Sequence, residues 1–210
     1  RSGVKTGFIQ AFQLYKRIGY PMTLRKHSDW LDDDERQKML DEYIEHSGTA
    51  WFGVDRMAAG EKDKAVEAHF TKVAPTYDFM NTVMSLGIHY AWKRRAVRML
   101  DIQPGQRVLD VCGGTGDLAV LCGRRVESSG EVVIYDINHA MMQAGRRRPE
   151  NAALNDRIDY VQGDAETIAF PGNRFDVAMV GFGIRNVTHL KRGFSEMYRV
   201  LKPGGKVMCL

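Results

Sequence analysis

The chain has 210 residues, 44% of them hydrophobic and 27% charged, and its formal net charge at pH 7 is +4. This composition excludes a fibrous repeat and a disordered chain, and the length fits one domain with an appendage. No apolar run approaches the ~20 residues of a membrane span. The cysteines lack metal-ligand spacing, so we predict buried thiols in a reducing compartment at Cys112, Cys122 and Cys209.

The first part of the chain separates its charges. Residues 1–28 contain six basic residues and no acid, whereas residues 29–45 contain eight acids and two bases. Apolar residues at helical spacing in 4–18 predict an acid-free amphipathic helix, suited to an anionic membrane surface or to packing on the protein itself. A remnant of an organelle transit peptide is a third interpretation. A second helix is predicted from Ser28 or Asp29 to about Gly48.

Next comes a segment, residues 49–62, that we interpret as a linker, followed by a helix from Glu61 to about Val73. The domain prediction is therefore a helical N-terminal extension over residues 1–60 and an α/β domain over 61–210. From Trp92 onward the pattern alternates between helix and strand, which predicts a mostly parallel, doubly wound sheet. The predicted strands are 107–112, 131–135, 158–161, 175–181 and 206–210, and the predicted helices are 92–100, 117–126, 139–147 and 190–201. A strand at the very end predicts that further C-terminal strands belong to the fold.

A glycine loop, Asp110–Gly116, follows the first strand of this pattern directly. The spacing of Gly114 and Gly116 also fits the dinucleotide fingerprint, so it does not identify the ligand by itself. Asp110 and Asp117 flank the loop, and two carboxylates there disfavour a diphosphate. They favour a ligand that carries an ammonium and a sulfonium, as S-adenosylmethionine does. Asp117 as a simple helix cap is the alternative.

Acidic residues also end the next two strands. Asp136 is placed to bind ribose hydroxyls, and Asp164 is placed to accept from an adenine amino group. The backbone N–H after Asp164, that of Ala165, can donate to the adenine ring. Because ligands of doubly wound sheets lie at the carboxyl ends of the strands, these features together predict an adenosyl pocket.

Three stretches resemble one family, the ubiquinone/menaquinone biosynthesis C-methyltransferases. They are Tyr77–Trp92, Gly181–Val187 and Arg199–Gly205, and the similarity covers about Phe70 to Leu210. The resemblance implies a Rossmann-like class I methyltransferase that uses S-adenosylmethionine to methylate a ring carbon of a polyprenylated quinol. It places cofactor contacts at Thr115, Asp136, Asp164, Ala165 and Gly181. Residues 1–60 depart from the family's short N-terminus, which leaves the substrate and oligomer contacts open.

Four residues are candidates for the chemistry. Arg185 stays protonated and can stabilise a phenolate-like oxygen, and Asn186 can hydrogen-bond a ring oxygen. His89 is a candidate base, and Tyr77 is a second polar candidate beside the cofactor. The structural alternatives are an ion pair of Arg185 with Asp78, a scaffold role for His89 and a lid role for Tyr77.

The expected partners follow from a lipid-tailed substrate. The basic start of the chain predicts transient contact with a membrane surface, and the protein is expected to be cytoplasmic and peripheral, or on the matrix face in a mitochondrion. A homodimer or a quinone-biosynthesis complex is compatible with the sequence. Nucleic acid is disfavoured because the basic runs 93–95 and 146–148 are interpreted as solvated helix faces. Two other functions stay open: methylation of another small apolar or phenolic acceptor, and a catalytically silent scaffold.

Overall fold

The computed structural model describes residues 49–52, 55–74, 76, 77, 83 and 85–210. Side chains are described from residue 61 onward, except that of residue 63. The two helices predicted within residues 1–48, and Asp78, lie outside the described residues. The predicted boundary at residue 60 therefore stays a prediction.

An antiparallel hairpin precedes the first described helix. Strands β1 (Thr49–Phe52) and β2 (Asp55–Ala58) pair from Thr49 with Ala58 to Phe52 with Asp55, and helix α1 (Ala59–Val73) follows. The linker interpretation of residues 49–62 is wrong, and the segment before residue 60 is not wholly helical. Four-residue strands are too short to show the alternating pattern on which strand prediction depends, although Thr, Trp and Phe favour strands.

The main sheet has five parallel strands in the order β5-β4-β3-β6-β7, as the alternating pattern predicts. Its strands are β3 (Arg107–Val111), β4 (Glu131–Asp136), β5 (Ile158–Gln162), β6 (Phe175–Val180) and β7 (Leu201–Cys209). Strand β7 begins five residues before the predicted start at Lys206. A register shift between Phe175 and Val177 accommodates the Pro203–Gly205 segment within the pairing.

The helices of this part are α2 (Ile88–Met99), α3 (Asp117–Val126), α4 (His139–Arg146), α5 (Pro149–Ala152) and α6 (Leu190–Val200), with a 3-10 helix at Phe182–Asn186. Helix α2 begins four residues earlier than predicted, after Gly87 in a left-handed conformation. No helix in the described part of the chain is both long and apolar enough to cross a bilayer. Cys122 is buried as predicted, whereas Cys112 is only partly buried and Cys209 is exposed on β7, an edge strand of the sheet.

The two faces of the sheet pack against different helices. Val108 joins a core with residues of α2 and α3, whereas Leu109 and Val111 join a second core with Met197 and Val200 of α6. Side chains alternate along a strand, so Asp110 lies on the face that α2 and α3 cover. Strands β3 and β6 are neighbours in space but not in sequence. Their carboxyl ends form the switch point at which doubly wound sheets bind ligands.

Candidate functional site

A cavity lies at the carboxyl ends of β3, β4 and β6 and holds about 1090 Å³ of empty space, part of it open solvent. This is the size range of small-molecule sites, which usually hold a few hundred to about 1,000 Å³. Nine of the twelve predicted site residues line it: Tyr77, Asp110, Gly114, Thr115, Asp136, Asp164, Ala165, Gly181 and Asn186. The three others, Gly116, His89 and Arg185, do not line it.

Asp110 is a buried carboxyl group that faces the cavity. Its exposed fraction is 1%, and neither carboxylate oxygen accepts a hydrogen bond of ordinary geometry from the described residues, although the backbone N–H of Ala119 lies near enough to lower the pKa. Burial raises the pKa of Asp110 to about 8, against the opposing charge of Lys93. A buried carboxylate without a partner is costly, so the site favours a ligand that brings a cation or a donor to Asp110.

Asp136 connects the glycine loop to the next helix. Its Oδ2 accepts from the backbone N–H of Gly114 and its Oδ1 from that of Asn138, both at 2.8 Å. The side chain of Asn138 caps α4 by accepting from the N–H of Met141 and donates to the carbonyl of Glu67 in α1. Burial raises the pKa of Asp136. Each carboxylate oxygen keeps lone-pair capacity for a hydroxyl donor.

Gly114 and Gly116 have different roles in the loop. A side chain on Gly114, whose φ is +55°, would point toward Met141 Cε at 3.2 Å, so the bare backbone keeps this wall of the cavity open. A side chain on Gly116 would collide with Ile134 Cδ1 at 2.7 Å and Asn151 Nδ2 at 2.8 Å. Gly116, one of the predicted cofactor contacts, lies against the core at the start of α3, and its contact with a cofactor stays a prediction.

We expect Gly116→Ala to destabilise the fold by about 2–4 kcal/mol, from the left-handed backbone together with overpacking. Gly204→Ala is the matched control, because Gly204 has a similar φ of +81° but nothing within 4 Å of an added Cβ. It should cost only about 1–2 kcal/mol. Urea unfolding of both variants measures the difference, and equal losses would show that packing at Gly116 contributes nothing.

The third predicted acid lies at the rim of the cavity. Asp164 is exposed, and its Oδ1 accepts from the backbone N–H of Glu166 at 2.9 Å. Gly163 lies directly against Tyr135, leaving no room for a side chain, and Ala165 is 7% exposed. The backbone from 163 to 165 is thereby fixed beside the cavity, with Asp164 free to accept from a ligand through its other oxygen.

The four candidates for chemistry have different surroundings. Tyr77 lines the cavity with its ring against Phe70 at 5.8 Å between centroids, and Asn186 lines it from the 3-10 helix. Arg185 is exposed beside Asn186. His89 is only 5% exposed, with its Nδ1 bonded to Ser85 Oγ, so its surroundings match the scaffold alternative rather than a base facing the cavity.

Two residues of the site escaped the sequence analysis. Nζ of Lys93 donates to Oδ2 of Asp117 at 2.6 Å, and Nη1 of Arg148 donates to Oδ1 at 2.6 Å. The solvated-face interpretation is wrong for both cations: Lys93 is buried, and Arg148 is partly buried. The spacing of Lys93 with His89 and Val97 on the buried face of α2 was a signal that could have revealed it.

These ion pairs also change the role of Asp117. Burial alone would raise the pKa of Asp117. The charges and hydrogen bonds of Lys93 and Arg148 outweigh this effect, so the pKa lies below its ordinary value. Asp117 is therefore an ionised carboxylate with two cationic partners, and it does not act as an unpaired anion toward a ligand. It is the first residue of α3, whose cap position is held by Gly116. Of the two acids that flank the loop, only Asp110 lacks a partner.

Comparison with known proteins gives the chain a family. Residues 57–210 match the model of the ubiE/COQ5 methyltransferase family. The ubiquinone/menaquinone biosynthesis C-methyltransferase UbiE of Stenotrophomonas maltophilia (strain R551-3) is 50% identical over 164 residues, which cover 78% of this chain and 65% of that protein. The protein of the same name in Hydrogenovibrio crunogenus is 44% identical over 172 residues, covering 82% of this chain and 68% of that protein. The chain thus spans about two thirds of the length of these relatives.

Solved structures show the same fold. A candidate S-adenosylmethionine-dependent methyltransferase from Methanococcus maripaludis superposes with a TM-score of 0.58 at 24% identity, over 66% of this chain and 62% of that one. A SAM-dependent methyltransferase from Aquifex aeolicus gives a TM-score of 0.50 at 20% identity, over 55% and 62%. At these identities the likeness extends to the fold, that of a class I methyltransferase, and not to the substrate.

Proposed function

Because the chain belongs to the ubiE/COQ5 methyltransferase family, we propose that it transfers a methyl group from S-adenosylmethionine to a ring carbon of a polyprenylated quinol in menaquinone or ubiquinone biosynthesis. The observation that carries the proposal is the unpartnered, buried carboxyl of Asp110 at the switch point of the sheet. A buried carboxyl at this position favours a cationic ligand and disfavours a dinucleotide, which would place a diphosphate there.

The residues present fit S-adenosylmethionine, which when bound supplies a methyl group on an electrophilic sulfonium. Asp110 takes the ammonium of the ligand, and Asp136 accepts from the ribose hydroxyls with its remaining lone pairs. Asp164 accepts from the adenine amino group, and the N–H of Ala165 donates to the ring. The backbone at Gly114 allows close approach of the ligand.

The cavity has apolar side chains in its lining beside the polar ones. They include Val66, Phe70, Ile137 and Phe182, which suit an aromatic ring better than a charged substrate. Asn186 hydrogen-bonds a ring oxygen, and Arg185 stabilises the negative charge that develops when the quinol hydroxyl loses its proton. The ring carbon made electron-rich in this way would accept the methyl group in line as the methyl–sulfur bond breaks and S-adenosylhomocysteine leaves, and loss of the proton from that carbon to water would restore the aromatic ring.

Calorimetric titration with S-adenosylhomocysteine, followed by methyl-transfer assays with a demethylated naphthoquinol and a demethylated benzoquinol, tests the function. We expect binding and methylation of one ring type. Binding without methylation of either quinol would favour another apolar or phenolic acceptor. A chain that binds no S-adenosylhomocysteine would be a scaffold, and the proposal would be wrong.

We also propose that the protein works at an anionic membrane surface, which its lipid-tailed substrate requires. The predicted helix in residues 1–28 is one candidate for the membrane contact. Within the described part of the chain, a second candidate is the exposed face of α2. Ile88, Trp92 and Met99 lie on one exposed stripe at helical spacing, with fractional exposures of 51, 43 and 70%. Helix α2 contains no acidic residue. It has three exposed arginines near the stripe, namely Arg94, Arg95 and Arg98. Apolar residues beside arginines are typical of interfacial helices.

Co-sedimentation with vesicles of anionic phospholipid measures this contact. We expect Arg94→Gln/Arg95→Gln to weaken binding roughly 30-fold, since each basic residue near an anionic surface contributes about 1 kcal/mol. Arg146→Gln/Arg147→Gln removes the same charge from another exposed helix end and should leave binding nearly unchanged. Equal losses in the two pairs would reduce the contact to overall charge. A chain that starts at residue 29 tests the contribution of residues 1–28 separately, and unchanged binding would exclude it.

A further inference from the structure

Two cations meet the carboxylate at the start of α3. Asp117 has a side-chain exposure of 13% and receives one hydrogen bond from each of two cations, Lys93 and Arg148, at the same distance of 2.6 Å. Arg148 also donates to Oγ1 of Thr115 at 3.3 Å, which fixes the guanidinium against the loop. Nε of Arg148 also lies 3.8 Å from Oε2 of Glu150, so Arg148 has two acidic partners, whereas Lys93 forms its ion pair with Asp117 alone among the described residues.

Of the two cations, only Lys93 belongs to the cavity lining. The side chain of Lys93 is only 11% exposed. Lysines are rarely buried to this extent unless their ammonium groups are paired. An ammonium group has three N–H donors, and among the described residues Lys93 uses one of them, toward Asp117. The other two donors are available to a ligand.

The opposite charge lies on the same wall of the cavity. Asp110 also lines the cavity, at 1% exposure and without a hydrogen-bond partner for either oxygen. Lys93 and Asp110 are close enough that the positive charge of Lys93 acts on the carboxyl of Asp110. An acid that needs a cation and a lysine with two unused donors together present the complement of a zwitterion.

We propose that Lys93 binds the carboxylate, and Asp110 the ammonium, of the α-amino acid end of the cofactor, with Asp117 as the residue that positions Lys93. This inference rests on the proposed function and adds to it a specificity-determining residue from α2. It also explains why two cations converge on Asp117: Arg148 holds the carboxylate in place and Lys93 uses it as an anchor. The sulfonium end and the adenosyl end are then bound by different elements from those that bind the amino acid end.

Three ligands that differ only at this end test the assignment on the full chain. S-adenosylhomocysteine has both charges, decarboxylated S-adenosylhomocysteine keeps the ammonium alone, and methylthioadenosine has neither. We expect Lys93→Met, which keeps the length of the side chain, to weaken S-adenosylhomocysteine about 30-fold, equivalent to ~2 kcal/mol. The affinities for the other two ligands should change by less than about threefold, and Lys93→Arg should restore most of the loss.

Arg148→Met is the matched control, because it removes the other partner of Asp117 at the same distance. If Lys93 only neutralised Asp117, the two methionine variants would behave alike toward all three ligands, and the inference would be overturned. It is also overturned if Lys93→Met binds S-adenosylhomocysteine like the wild type or loses all three ligands in parallel. A wild-type chain that binds none of the three overturns the proposed function together with this inference.

Discussion

Replacing Asp110 by Asn should lower the affinity for S-adenosylhomocysteine by roughly 100-fold, about 2.7 kcal/mol, because the ammonium of the ligand loses a buried ionic partner. Asparagine has nearly the same shape, so the cavity keeps its walls and the variant isolates the charge. Methylthioadenosine, which lacks the ammonium, should bind the variant within about threefold of the wild type. Calorimetric titration gives both affinities.

The wild type should also bind S-adenosylhomocysteine more tightly as the pH rises. The cation of the ligand needs the ionised form of Asp110, whose pKa is about 8 because burial raises it. The charges that face this carboxyl are those of Lys93 on α2, Asp117 on α3 and Asp136 on β4. Below pH 8 a proton must leave before the pair forms, so the affinity should rise toward tenfold per pH unit from pH 6 and level off above pH 8. The described lining of the cavity contains no histidine that could produce the same profile.

Titration in two buffers with different ionisation enthalpies measures the released proton directly. Asp110→Asn should release none and show a flat profile. Asp156→Asn serves as the control, since Asp156 is an exposed carboxylate that pairs with Arg157 away from the cavity. A wild-type affinity that stays constant between pH 6 and 8 would show that Asp110 does not bind the ammonium.

The same raised pKa affects the stability of the ligand-free chain, with a definite sign. The folded state keeps the proton of Asp110 up to about pH 8, whereas the unfolded chain releases it near the ordinary value of 3.8. Between these values the folded state binds more protons, so this group lowers the free energy of unfolding as the pH rises. Asp110→Asn should remove that slope.

The local parts of the site could be predicted from the sequence. The loop from Asp110 to Gly116 comes directly after an apolar strand, so its glycines and first acid follow from residues that are neighbours in the chain. Asp136 and Asp164 were found for the same reason, since each ends a strand and parallel strands bring their carboxyl ends to one edge. The parallel sheet itself was predicted because helix and strand periods alternate over more than a hundred residues.

The ion pairs of Asp117 could not be predicted in this way. Lys93 is 24 residues before Asp117 and Arg148 is 31 residues after it, so both contacts depend on how α2 and the segment before α5 pack against α3. The helical spacing of Lys93 with His89 and Val97 indicates that Lys93 faces inward, but it does not indicate which carboxylate Lys93 meets. The hairpin at residues 49–58 was missed for a different reason, because two four-residue strands give too little pattern to distinguish from a connection.

Arg185→Ala should reduce the turnover number about 100-fold at saturating substrates, the usual loss when one stabiliser of a developing oxyanion is removed. Arg185 lies in the 3-10 helix that also carries Asn186 and Phe182, both of which line the cavity. Its guanidinium is exposed and forms no ion pair with a carboxylate in the described ranges, so it is not committed to a structural partner there. Calorimetry should show an affinity for S-adenosylhomocysteine within about twofold of the wild type, since the proposed role of Arg185 is toward the acceptor.

The pH profile of turnover separates a stabiliser from a base. Arginine stays protonated throughout the accessible range, so Arg185→Ala should lower the rate by the same factor at every pH and leave the shape of the profile unchanged. Arg185→Lys should retain part of the rate because it keeps the charge but loses the planar fork. Arg192→Ala, an exposed arginine on α6, is the control and should turn over at the wild-type rate. If Arg185→Ala keeps turnover within a few-fold while cofactor binding is intact, charge stabilisation must come from another group, and Asn186 becomes the residue to test.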